Sequence, residues 1–148
     1  MRLALAPVLL AVVVVACSSD PEPLTLTPKG SSAGTASFEK DVMPIIGESC
    51  ALSACHAASQ SNLGIHLTFD KAQVYAEFQK GSPTFPGVKF VVPGKPEASL
   101  LMGKMDGTQA KTTGCSNGCG KDMPPDALLP QEQRDTVRKW IENGAKND

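Results

Sequence analysis

The sequence predicts an all-α domain with long loops, on three observations. Phe38, Val42, Ile45 and Ile46 recur at i, i+4, i+7 and i+8, one apolar face of a helix. Val137, Trp140 and Ile141 form a second stripe at i, i+3 and i+4 toward the other end. Between them, residues 81–96 and 106–126 are rich in Gly, Pro, Thr, Asn and Asp and read as loops.

The first residues are read as a targeting segment, not as fold. Arg2 supplies a positive start, and Leu3 to Ala16 is a run of 14 residues broken only by Pro7. That suits the apolar region of a signal peptide and is short of the roughly 20 residues a membrane span needs. The run ends in Val14-Val15-Ala16-Cys17, which resembles the lipobox of bacterial lipoproteins. That resemblance implies cleavage before Cys17, lipidation of Cys17 and an exported protein, periplasmic or on the cell surface. In that family a Ser after the cysteine, here Ser18, is usually permissive for the outer membrane. The bland reading is an ordinary signal peptide with a chance cysteine. Lipid chains would anchor the protein to the membrane without a spanning helix. The expected organisation is a signal peptide over 1–16, a lipidated Cys and flexible tether over 17–36, and one domain over 37–148.

Within the domain, Ser37 can cap a first helix, with Glu39 and Asp41 in its first turn and Pro44 expected to kink or split it. A second helix is expected over Lys71 to Gln79, capped by Asp70, with Val74 and Phe78 inward. Val88 to Val92 is read as extended, and Pro96 to Met102 as a short helix opened by proline. The last helix runs from Pro130 to Gly144, with Asp135 and Lys139 as an i, i+4 pair.

Cleavage leaves 13 basic against 15 acidic residues, which argues against a nucleic-acid partner. Aromatics are only 5% of the chain, so a domain of this size would have a thin core that a bound apolar group could thicken.

There are five cysteines, and setting Cys17 aside leaves two close pairs. The first is Cys50-Ala51-Leu52-Ser53-Ala54-Cys55-His56. Covalent haem attachment uses C-x-x-C-H, in which two thiols join the porphyrin edge and the adjacent imidazole reaches the iron. Here the spacer has four residues, not two. In a regular helix i+5 is turned about 140° from i, so the extra residues must bulge for both thiols to reach one macrocycle. Two other readings stay open: a Cys50–Cys55 disulfide, and a zinc site shared with Cys115 and Cys119. An exported chain favours the disulfide over the zinc site. The second pair, Cys115 and Cys119 in a Gly-containing loop, reads as a short disulfide, with a redox-active dithiol as the alternative.

Ser37 to Ile46, the Cys50–His56 segment, Val91-Val92-Pro93-Gly94-Lys95-Pro96-Glu97-Ala98-Ser99-Leu100-Leu101, Met123-Pro124-Pro125 and Trp140 to Ala145 follow in order. Together they resemble a family of small secreted, class I-like cytochrome c domains common in myxobacteria and planctomycetes. The resemblance implies a cytochrome c-like helical fold around one haem c, with Cys50 and Cys55 as thioethers. It implies His56 as one iron ligand and Met123 as the other, 67 residues further on.

Prolines 124 and 125 stiffen the Met123 loop, which suits a weak thioether ligand. Met43, Met102 and Met105 read as core. His66 lies ten residues after His56, too near to cross a porphyrin, and reads as a partly exposed loop residue. The implied activity is one-electron transfer with a redox partner protein, and no nucleophile with a base marks an enzyme. A haem-free, disulfide-stapled binding lipoprotein and a peroxidase-like enzyme are the rival functions.

Overall fold

The computed structural model describes residues 34–58 and 64–148. The expected signal peptide, Cys17 and most of the expected tether lie outside the described residues. Among those described, the chain is all-α and contains no strand. Its four α-helices are α1 (Met43–Ser49), α2 (Lys71–Phe78), α3 (Leu100–Met105) and α4 (Gln131–Glu142).

The first expected helix is two pieces. Phe38–Val42 is a π-helical turn, capped by Ser37, whose hydroxyl accepts from Lys40 N. Met43 N donates to Phe38 O, and Pro44 falls in the first turn of α1. Proline carries no N–H and clashes with the preceding turn of a continuous helix. Of the two expected outcomes the helix is split, and the wider turn ahead of Pro44 takes up that clash. The core also starts slightly before Ser37, because Ala36 is buried.

Helix α2 begins where Asp70 accepts from Gln73 N, and it buries Val74 and Phe78. The expected helix at Pro96 is a 3₁₀ turn, Pro96–Ala98, followed by α3. Leu100 N and Leu101 N at the start of α3 donate to the carbonyls of Lys89 and Phe90 (both 3.0 Å). These are first-turn donors with no partner inside their own helix. They fix the extended segment, in which Val88 and Phe90 point inward and Lys89 outward. Beyond α3, the long loop carries one 3₁₀ turn, Gln109–Lys111.

Helix α4 buries Val137, Trp140 and Ile141, and it ends in a Schellman motif. Gly144 N donates to Ile141 O and Ala145 N to Trp140 O, both at 2.9 Å. Gly144 has φ +95°, a conformation open to glycine at little cost. The expected Asp135–Lys139 pair is replaced: Asp135 faces Arg138 at 3.8 Å and accepts from Gln131.

Two apolar clusters result. In the larger, Phe38 stacks on Trp140 at 5.0 Å between ring centroids and meets Tyr75 edge-on at 5.4 Å. This joins the first turn, α2 and α4, so the few aromatics are concentrated in one hub. The smaller holds Val88, Phe90, Leu100, Cys115 and Cys119.

Candidate functional site

Where α1 ends, the chain makes a compact turn. Cys55 N donates to Leu52 O (2.9 Å), Ala57 N to Leu52 O (3.1 Å) and His56 N back to Cys50 O (3.2 Å). The four spacer residues form this bulge, with Ala51 buried and Leu52 exposed at its outer edge. Both thiols are thereby brought to one side of the α1 terminus. They do not form a disulfide with each other. Burial pushes the Cys50 thiol up to about 11, and Cys55 adds to the rise.

A cleft of about 310 Å³ opens there, and Cys50, Cys55, His56 and Met123 all line it. Its volume falls at the lower end of ordinary ligand sites, roughly 300–1,000 Å³. The walls are mainly apolar: Leu67, Phe78 and Met105 come from the larger cluster, and Phe90 and Leu100 from the smaller. Glu77, Ser82, Thr84 and Lys104 supply polar atoms. The Glu77 carboxylate is engaged by Lys80 at 2.6 Å.

The state of His56 follows from its partner. Nδ1 lies 3.3 Å from Ile65 O, and a carbonyl only accepts, so Nδ1 carries the proton. The lone pair is then on Nε2, the arrangement that makes an imidazole a metal ligand. Burial lowers the His56 pKa, opposed by the Ile65 bond and helped by the charge of Lys104, so the neutral form is favoured.

His66 is half-buried and does not line the cleft. Its Nε2 donates to Ala57 O (2.8 Å), which leaves Nδ1 to accept from Gln73 Nε2 (2.7 Å). Gln73 Oε1 in turn accepts from Thr68. Both ring nitrogens are spent on holding the segment after His56, and neither is available to a metal.

Met123 reaches the cleft from the long loop, followed by Pro124 across a cis peptide bond. Its N–H donates to Lys104 O (2.9 Å), which hangs the loop on α3. Cys115 and Cys119 are joined by a disulfide with Cα atoms 5.3 Å apart, and both are buried. The bond is the expected short disulfide, and with both sulfurs in it they are not thiolates for a shared zinc site.

Two lining residues carry more than their sequence reading. Met105 is buried core, as expected, yet it also forms cleft wall. Lys104 had no role assigned; burial lowers its pKa, opposed by Asp122. The available signal was on α3 itself: Leu100, Leu101, Lys104 and Met105 are one helical face, and Lys104 is its single cation.

A porphyrin needs flat apolar walls, two thiols at one edge and an axial donor on each face. The residues present fit that donor set: two thiols five positions apart, an imidazole with its lone pair on Nε2, and a thioether line one mainly apolar cleft. Comparison of the chain with protein-family models, curated proteins and solved structures found no match, so the function is argued from this cleft.

Proposed function

We propose that this chain is a one-electron carrier, an exported lipoprotein of cytochrome c-like fold holding one covalent haem c in the cleft. The observation that carries the reading is the convergence of Cys50, Cys55, His56 and Met123 on one apolar cleft. Three of them are neighbours in sequence, but Met123 is not, and nothing in chain connectivity requires it to join them. When bound, haem c supplies a one-electron iron couple, whose potential His and Met ligation raise.

The protein's part is to bind and to orient. Cys50 and Cys55 hold the group through thioethers. Ile65 O fixes the tautomer and orientation of His56, leaving Nε2 for the iron. The apolar walls exclude water, which stabilises the less charged state of the centre. Met123 completes the site from the loop that follows the Cys115–Cys119 disulfide. Met105 is the rival sulfur, but it is 1% exposed and packed in the core from a helix. Met123 is half-buried on a loop. With few net charges, the partner interface is expected to be small and transient. Cys17 would keep the carrier at the membrane.

The test is the absorption spectrum of the full chain matured in a host with haem-attachment machinery. The account expects a low-spin c-type spectrum with a Met–iron charge-transfer band. Met123→Ala abolishes that band and Met105→Leu keeps it. A band that survives Met123→Ala would make the ligand assignment wrong.

A further inference from the structure

The loop that delivers Met123 is held by an unusual set of bonds. Lys104 Nζ donates to Cys119 O and to Lys121 O, each at 2.5 Å. Gln109 Nε2 donates to Gly120 O at 2.9 Å. Three successive carbonyls thus turn toward α3 and the 3₁₀ turn that follows it. An extended strand alternates its carbonyls and a helix points them along its own axis, so aiming three in a row sideways at a neighbouring element takes an irregular course. The chain manages it with left-handed conformations at Gly118 (φ +83°), Cys119 (φ +48°) and Gly120 (φ +75°). For Cys119 that conformation is costly and persists only where the surroundings enforce it. Two residues later, Met123 N donates to the main-chain carbonyl of the same Lys104. One residue of α3 therefore grips the loop at both ends, with its ammonium and with its carbonyl.

We infer that Lys104 is the positioning residue for Met123: its ammonium clamp sets how firmly the thioether is presented to the cleft. This rests on the haem reading above and deepens it. The disulfide alone does not do this work, because its ring closes at Cys119, four residues short of Met123. The stretch between is secured by Lys104 and Gln109. A charged donor shared between two carbonyls is stronger than a neutral bond, so its loss frees the loop more than removal of Gln109 does.

The experiment titrates imidazole into the full-length, haem-loaded protein and reads its displacement of the Met–iron band. Wild type, Lys104→Met, Lys104→Arg and Gln109→Ala are compared. Asp148→Ala serves as a control: it removes the carboxylate that accepts from Phe38 N (2.9 Å), on residues that do not line the cleft. Lys104→Met is expected to bind imidazole about tenfold more tightly than wild type, and Gln109→Ala about threefold. Lys104→Arg keeps a multiple donor and should stay within about twofold. The control should lower Tm without changing imidazole affinity.

Wild-type affinity in Lys104→Met overturns the inference, as does an equal rise in the control, which would make the effect one of general stability. If Lys104→Met does not fold or load, Gln109→Ala decides: tighter imidazole binding supports the clamp, and unchanged binding overturns it. Failure of the haem reading is distinct, since wild type itself would then carry no covalent haem and no band.

Discussion

His56 and His66 show how one side chain keeps a ring nitrogen for a ligand role and its neighbour does not. Both are half-buried, and both meet a backbone carbonyl with a ring nitrogen. The difference is the second nitrogen. That of His66 is closed by Gln73, whereas no second bond of this kind is formed by His56 Nε2 among the described residues. His66→Ala is therefore expected to leave the Met–iron band unchanged. It removes two hydrogen bonds of a half-buried group and should cost about 1–2 kcal/mol in a urea melt. Loss of the band in that variant would mean that His66 serves the iron. At this scale the sequence was informative about types and not about roles. Cys50, Cys55 and His56 stand out by type and spacing and Met123 only through the resemblance of its Met-Pro-Pro loop, and the four line one cleft. Lys104 was not legible, since a lysine on a short helix is normally a solvated charge, and its partners come from 15 and 17 residues away.

Among the elements, α3 has only six residues, yet it organises the cleft. One face supplies cleft wall, its first N–H groups hold the extended segment, and Lys104 holds the Met123 loop. Gly103, between the cleft residues, allows the 3₁₀ turn to lie against it. A Cβ at Gly103 would fall 2.3 Å from Thr112 Oγ1 and 3.0 Å from Gln109 Cα. Thr112 is buried, so the backbone itself would have to move. Gly103→Ala is expected to cost about 1–3 kcal/mol by thermal melting and to loosen the Gln109 end of the clamp. A wild-type melt would show that the turn relocates freely. Helix boundaries were legible where caps are strong, at Asp70 and Gly144. At Pro44 a kink or split was legible but the widened turn was not, because a proline early in an apolar stripe is compatible with a kink, a break or a widened turn. Only packing of Phe38 and Val42 into the core selects the last.

For the whole molecule, the question is how so small a domain keeps an apolar cleft open. The aromatic hub answers part of it. Phe38, Tyr75, Phe78 and Trp140 lock the first turn, α2 and α4 together. Trp140 also donates from Nε1 to Lys146 O at 2.8 Å. Trp140→Ala is expected to cost about 3–5 kcal/mol, enough to leave the domain partly unfolded, and circular dichroism on heating would report it. A sharp wild-type transition in that variant would place the core elsewhere. The all-α class and the closing helix were legible from periodicity alone. The cleft was not, because it lies between two clusters whose contacts are set by loops, and loops carry little periodic signal.

The central claim is that Cys50 and Cys55 hold a haem covalently in this cleft. The most direct measurement is the intact mass of the full chain after acid denaturation, with peptide mapping, from a host that attaches c-type haem. The account expects a chain heavier by one haem, with the added mass on the peptide containing residues 50–56. A chain of unmodified mass, its Cys50 and Cys55 both open to alkylation, would contradict it.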